Sequence, residues 1–210
     1  MRPFWLTLVG TLLCLSSNLD AQERQLVAAM EFKPYLQVKP VAGDERIVRV
    51  FVSPACRFSR QYFGFFKNLA RTMPNGKTLA MTPLVNRVDG VHYALAHLAV
   101  QRFYPKYLEN FIEASMIGVQ DKGIATANWA GIERIGKAAG LPVSVPRLVN
   151  EKRDVLEEDL QALLGTQKQL GITNTPAVAV VGTYIVTPEF TKGDFQQFSM
   201  LVNAVISMAM

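Results

Sequence analysis

The alternation of strand-like and helix-like segments over residues 46–85 limits the possible folds more than any other feature of the sequence. Residues 46–53, "RIVRVFVS", are rich in β-branched side chains and predict a buried strand. Over residues 56–73 the aromatic and aliphatic side chains recur at spacings of three and four, which predicts a helix. Residues 78–85, "TLAMTPLV", predict a second strand. A strand, a helix and a strand in succession indicate a βαβ unit with a parallel pair and a right-handed crossover.

The remaining segments predict how this unit is extended. Residues 22–38 are amphipathic and predict a helix. Residues 89–170 are almost wholly helical in pattern, in four stretches with apolar stripes, and predict an inserted helical subdomain. Two short apolar runs joined by Gly182-Thr183 predict a hairpin with a type II′ turn, and residues 192–208 predict the last helix. The result is an α/β fold with a mixed sheet and the order β-α-β, helical insertion, β-β-α.

The N-terminus has the geometry of a signal peptide. Residues 4–16 form an apolar stretch of 13 residues behind the positive charge of Arg2. A helix of that length is too short to cross roughly 30 Å of hydrocarbon, so an uncleaved membrane anchor is the weaker alternative. We therefore predict that residues 1–21 are a signal peptide, removed after Ala21.

Cleavage at that point leaves the mature chain with one thiol. Cys14 is lost and Cys56 stays, so the mature protein cannot form an intramolecular disulfide, although export favours a compartment where disulfides persist. A lone thiol of this kind is either a buried, inert side chain or a reactive group. The polar neighbours of Cys56, among them Ser53, Arg57 and Ser59, favour the reactive alternative.

Composition and spacing exclude several classes of function. The formal net charge is +5, and no cluster of Lys and Arg is interleaved with aromatic residues. We therefore expect no nucleic-acid partner, and peripheral or no membrane contact. His92 and His97 lie five residues apart on a predicted helix, which is the wrong spacing for one helical face, and no carboxylate pattern completes a metal site. We expect neither a metal nor a cofactor.

Two segments give the sequence a resemblance to a known family. "FVSPACRFS" places Cys56 at the end of a strand and the start of a helix. "GITNTPAVAVVGTYIV", residues 171–186, places Thr175 and Pro176 directly before a hairpin. Over residues 45–208 this combination resembles the DsbA family of periplasmic thiol-disulfide oxidoreductases, which carries a helical insertion in a thioredoxin fold.

The resemblance implies a division of the chain and an active-site loop. Residues 45–88 and 171–208 would form the two halves of a thioredoxin-like domain, and residues 89–170 the inserted subdomain. Thr175 and Pro176 fill the positions where the family carries a cis-proline beside the active-site sulfur. A cis bond there would expose the Thr175 backbone to an extended peptide and keep metal ions away from the sulfur.

Two positions depart from the family pattern. The family's active-site helix begins with Cys-x-x-Cys, and Ser59 stands here in place of the second cysteine. The strand position six residues before the nucleophile is acidic in DsbA itself and is Val50 here. The resolving thiol and the buried proton acceptor that serves it are therefore both missing. An internal dithiol oxidation cycle cannot run in such a molecule.

Cys56 is the predicted nucleophile, with neighbours that could assist it. At a helix N-terminus, unpaired backbone N–H groups and the positive end of the macrodipole favour a thiolate. Arg57 adds positive charge if its side chain turns toward the sulfur. Ser59 either donates a hydroxyl hydrogen bond to the thiolate or is simply tolerated in a first turn. Phe58 lies inside the Cys-x-x-Ser loop and is either a core residue or a substrate contact.

Three functions are compatible with these features. The leading hypothesis is an exported, periplasmic protein that performs isomerase- or reductase-type thiol-disulfide exchange through Cys56 alone. Its partners would be cysteine-containing exported proteins or glutathione. The alternatives are a non-catalytic thioredoxin-fold chaperone or accessory subunit of an envelope assembly, and a homodimer linked through Cys56.

Overall fold

The computed structural model describes residues 33–209, and a mixed five-stranded sheet runs through them. The strands are β1 (Leu36–Gln37), β2 (Ile47–Val52), β3 (Thr78–Pro83), β4 (Ala177–Val180) and β5 (Tyr184–Val186). Their spatial order is β1-β5-β4-β2-β3. β2 pairs in parallel with β3 and antiparallel with β4, and the other pairs are antiparallel. The predicted mixed sheet is therefore confirmed.

Helices connect and cover these strands in the predicted order. The helices are α1 (Arg57–Arg71), α2 (Gly90–Phe103), α3 (Leu108–Lys122), α4 (Trp129–Ala138), α5 (Val145–Glu151), α6 (Arg153–Leu170) and α7 (Phe195–Met208). α1 links the parallel strands β2 and β3, and the stretch between β3 and β4 is built from helices. The sequence patterns missed α5, whose seven residues are too few to show an apolar stripe.

β2 is the buried centre of the sheet. Its side chains alternate between two hydrophobic clusters because successive residues of a strand point to opposite faces. Val50 packs with Phe66 of α1 and Phe198 of α7, whereas Phe51 packs on the other face with side chains that include Leu163 of α6. Each such buried side chain contributes about 1.5–3 kcal/mol. This packing fixes the carboxyl end of β2, where the chain turns into α1.

The helices between β3 and β4 have a hydrophobic cluster of their own. Tyr93, Phe111, Ile132 and Leu156 are among its fully buried members and come from four different helices. From Tyr35 onward the chain forms one compact unit.

The described residues correct two predicted element boundaries. Of the helix predicted at residues 22–38, the part that the structure describes contains β1 instead, because this segment pairs with β5 and the Tyr35 ring packs edge-on against Tyr184. The last helix begins at Phe195 rather than residue 192. Asp194 caps it by accepting the Gln197 N–H at 2.7 Å.

The hairpin turn also differs from the prediction. Val181 and Gly182 both have positive φ, +48° and +63°, which is the pattern of a type I′ turn rather than type II′. The Thr183 N–H closes the turn on the Val180 carbonyl at 3.1 Å. Type I′ twist matches the right-handed twist of the flanking strands.

The predicted signal peptide, residues 1–21, lies outside the described residues. Within residues 33–209 no helix combines the length and the apolar character needed to cross a membrane.

Candidate active site

Cys56 lies where β2 turns into α1. Its N–H donates to the Ser53 carbonyl at 3.1 Å, which closes a turn after the strand, and Cys56 is itself the N-cap of α1. Cys56 is half-buried, and its sulfur accepts the Ser59 backbone N–H at 3.4 Å. A helix N-terminus has unpaired N–H groups and a partial positive charge. The Ser59 N–H is thus a backbone donor of the first turn of α1 that points at Cys56 Sγ.

A second contact reaches the same sulfur from the opposite half of the chain. The Cys56 S–H donates to the Thr175 carbonyl at 3.0 Å. The Thr175–Pro176 peptide bond is cis. The loop lies here because Ala177, at the start of β4, pairs with Phe51 near the end of β2. The sulfur of Cys56 is therefore a hydrogen-bond donor to Thr175 and an acceptor from Ser59.

Ser59 contacts the sulfur through its backbone rather than through its hydroxyl group. The side chain is fully buried, and its Oγ accepts the Ser53 N–H at 3.3 Å. Ser59 therefore ties the first turn of α1 to the end of β2. The hydrogen bond from Ser59 to Cys56 Sγ comes from the N–H group.

The cationic residues of the loop have other partners. The Arg57 guanidinium lies 4.7 Å from the centroid of the Phe58 ring, a cation–π contact. Phe58 is half-buried and packs against the core. Arg60 binds Asp121 through two hydrogen bonds of 2.6 and 2.8 Å, and this bonding lowers the pKa of the Asp121 carboxyl. The helix N-terminus, not a side-chain cation, is thus the positive group that contacts Cys56.

Gln120 of α3 is a residue of the site that sequence analysis missed. Its Nε2 donates to the carbonyls of Pro54 at 2.7 Å and of Cys56 at 3.2 Å. The side-chain amide therefore ties residues 53–56, the thiol loop between β2 and α1, to a helix 64 residues further along the chain. A glutamine in a helical pattern carries no signal of such a role.

We expect Gln120→Ala to loosen the thiol loop. The substitution removes two partly buried hydrogen bonds, so the free energy of unfolding should fall by about 1–2 kcal/mol in chemical denaturation, and the alkylation rate of Cys56 should change. Gln169→Ala is the matched control, because Gln169 donates one exposed hydrogen bond to the Pro40 carbonyl. Equal effects of the two substitutions would contradict this role of Gln120.

A buried polar network beneath the loop was also missed. Asp89, directly before α2, is fully buried, and its Oδ2 accepts hydrogen bonds from the Ser53 hydroxyl and from Asn86 Nδ2 at 2.9 Å. Its Oδ1 has no hydrogen-bond partner among the described residues. The network joins the loops that follow the parallel strands β2 and β3.

The two histidines take structural positions. His97 is buried and its Nε2 lies 3.0 Å from the Met81 carbonyl, whereas His92 packs edge-on against Trp129. No group of three or more His, Cys, Asp and Glu side chains within residues 33–209 is placed to hold a metal ion.

Comparisons with known proteins give the fold a precedent. No protein-family model matches the chain and no curated protein matches it. Among solved structures, the oxidoreductase DsbA from Xylella fastidiosa is 18% identical, over 83% of this chain and 94% of that one, with a TM-score of 0.68. DsbA from Pseudomonas aeruginosa is 12% identical, over 84% of this chain and 92% of that one, with a TM-score of 0.71. A third structure is a cysteine-to-serine variant of DsbA from Proteus mirabilis with the non-covalently bound peptide PWATCDS. It is 18% identical, over 86% of this chain and 97% of that one, with a TM-score of 0.69.

These likenesses establish the fold of the chain. It is a DsbA-like thioredoxin fold with a helical insertion, as the segments around Cys56 and Pro176 predicted. At such low sequence identity the chemistry has to be argued from the residues of this chain.

Proposed function

We propose that this protein exchanges thiols and disulfides through the single sulfur of Cys56. The observation that carries the proposal is the position of Sγ at the N-terminus of α1, between the Ser59 N–H and the Thr175 carbonyl. Thiolates, not thiols, attack disulfides, and a helix N-terminus is a known way to favour a thiolate. Cys56 is half-buried rather than enclosed in the core.

The first step forms a mixed disulfide. The Cys56 thiolate attacks one sulfur of a substrate disulfide, a Cys56–substrate S–S bond forms, and the second substrate sulfur leaves as a thiolate. The attacking sulfur is oxidised and the leaving sulfur is reduced. Loss of the Cys56 proton also frees the Thr175 carbonyl, which can then accept an N–H from an extended substrate peptide.

The second step needs a thiol from outside the chain. Ser59 holds an alcohol where an internal resolving thiol would be needed, so another thiolate must attack the mixed disulfide and release Cys56. If that thiolate belongs to the same substrate, a disulfide is moved without net oxidation, which is isomerisation. If it belongs to glutathione or another protein, that thiol forms a disulfide with the substrate sulfur as Cys56 leaves, and a second such thiol then reduces the substrate to its free thiol.

The compartment and the partners follow from the same proposal. Disulfide substrates persist outside the cytosol, so a signal peptide at residues 1–21 and a periplasmic location suit this chemistry. The partners are cysteine-containing exported proteins or glutathione. The cysteine-bearing peptide bound by the Proteus mirabilis DsbA variant supports a peptide as the substrate class.

The proposed division of the chain assigns each part a share of the site. Residues 45–88 carry Cys56, residues 171–208 carry Thr175, and the inserted helices at 89–170 carry Gln120. The separate hydrophobic cluster of the inserted helices supports this division, and the hydrogen bonds from Cys56 to Thr175 and from Gln120 to the thiol loop join the parts.

Mass spectrometry of the purified protein mixed with a disulfide-linked peptide tests the exchange. We expect one peptide mass to be added at Cys56, and expect that Cys56→Ala abolishes the adduct. Reduction should remove the adduct completely. An unmodified Cys56 in folded protein would contradict the proposal and leave a non-catalytic binding role, whereas a twofold mass would indicate a disulfide-linked homodimer.

A further inference from the structure

A buried carboxylate without a cationic partner lies beneath the thiol loop. Among residues 33–209, two carboxylate residues are buried, Asp44 and Asp89. Asp44 forms an ion pair with Arg49, whereas Asp89 forms none with any Lys, Arg or His in the described part of the chain. Buried charges are normally paired, and Asp89 Oδ1 also lacks a hydrogen-bond partner. Asp89 therefore needs a specific explanation.

The parallel sheet brings Asp89 close to the nucleophile. Val52 and Pro83 are register partners, so the loops that follow β2 and β3 leave the sheet side by side. The Ser53 hydroxyl donates to Asp89 Oδ2, and the Ser53 carbonyl accepts the Cys56 N–H. Ser53 thus connects the Asp89 carboxylate with Cys56 through one hydrogen bond to each.

The surroundings of Asp89 stabilise its negative charge but do not pair it with a cation. Asp89 is the N-cap of α2, where the helix dipole favours a negative charge. Burial raises the pKa of Tyr93 on α2, and the charge of Asp89 adds to that rise. Of the nearby cations on α1, Arg57 lies over the Phe58 ring and Arg60 is bound to Asp121. The exposed Arg87 precedes Asp89 in the loop and is not in ion-pair contact with it.

We propose that Asp89 is a positioning residue that holds a negative charge behind Cys56 and opposes formation of its thiolate. The inference rests on the proposed function and deepens it. A less stable Cys56 thiolate is a poorer leaving group, so the mixed disulfide with a substrate lasts longer. Attack by a second substrate thiol and attack by glutathione both expel Cys56 as the leaving group, so the charge of Asp89 slows both kinds of release.

The pH dependence of Cys56 alkylation tests this role. Iodoacetamide reacts with the thiolate, and peptide mass spectrometry assigns the modification to Cys56. Removing a buried charge that is linked to Cys56 through Ser53 should move the midpoint of the profile to lower pH by about one unit in Asp89→Asn. Asp89→Ser also removes the charge, with a smaller polar side chain at the N-cap position of α2, and should give the same shift, so the test stays decisive if the Asn variant does not fold.

Two controls separate a charge effect from a structural one. Asp44→Asn removes the other buried carboxylate and should leave the midpoint unchanged. Ser53→Ala removes the connecting hydroxyl but keeps the charge, and should shift the midpoint much less than Asp89→Asn. A folded Asp89 variant whose profile overlays the wild type, or an equal shift in Asp44→Asn, would overturn the role of Asp89.

The alkylation test is independent of the exchange test. Iodoacetamide needs no disulfide substrate, so the profile of each variant can be measured whether or not the protein exchanges disulfides. Failure to form a peptide adduct contradicts the proposed function. An unchanged profile contradicts only the inference about Asp89.

Discussion

Replacing Ser59 by cysteine should make release of a substrate from Cys56 independent of external thiols. The substitution places a thiol on the first turn of α1, three residues after Cys56, in the position whose backbone N–H already contacts the sulfur at 3.4 Å. Attack on the mixed disulfide then becomes intramolecular, and such reactions gain orders of magnitude in effective concentration. We expect release without added thiol to be at least about 100-fold faster in Ser59→Cys than in the wild type.

Mass spectrometry provides both the readout and its control. After release, Ser59→Cys should be about 2 Da lighter than its reduced form, because two thiols lose their hydrogens in an internal disulfide. Ser59→Ala is the matched control and should behave like the wild type, since it adds no thiol. Equal release rates in Ser59→Cys and Ser59→Ala would show that position 59 cannot reach the mixed disulfide.

Acid should destabilise the fold through His97. The side chain is fully buried, and burial lowers the pKa of His97 from 6.5 to about 4. Between pH 6.5 and 4 the unfolded chain binds a proton that the folded chain does not, so the free energy of unfolding falls as the pH falls. The loss reaches about 3 kcal/mol at pH 4, at about 1.4 kcal/mol for each pH unit. Above pH 6.5 this residue adds no pH dependence.

Chemical denaturation at several pH values measures the effect. His97→Gln is the control, because a glutamine amide can still donate to the Met81 carbonyl and does not titrate. The unfolding free energy of the wild type minus that of the variant should fall by about 3 kcal/mol from pH 7 to pH 4. A difference that stays constant over this range would contradict a neutral, buried His97.

The sequence predicted those parts of the fold that local patterns determine. The β-branched run that became β2 and the aromatic spacing of α1 are each self-contained signals. β1 could not be predicted in this way, because its two residues form a strand only through pairing with β5. The turn type at Val181 and Gly182 was missed for a similar reason: a β-branched residue with positive φ is held by its surroundings, not by its own preference.

The site residues that lie in local sequence motifs could be predicted, but those that reach the loop from other elements could not. Cys56, Thr175 and Pro176 belong to motifs that can be recognised in sequence, and the structure brings Cys56 and Thr175 together. Gln120 and Asp89 reach the loop from other elements as ordinary polar residues, so no spacing rule singles them out. Only the three-dimensional structure shows that both are hydrogen-bonded to the thiol loop.

The lifetime of the wild-type mixed disulfide tests the central claim most directly. A peptide is first linked to Cys56, excess reagent is removed, and the adduct is followed by mass spectrometry over a series of glutathione concentrations. A single thiol with no internal partner predicts an adduct that persists without glutathione and is released at a rate proportional to its concentration. Release that is fast without glutathione and independent of its concentration would contradict the account.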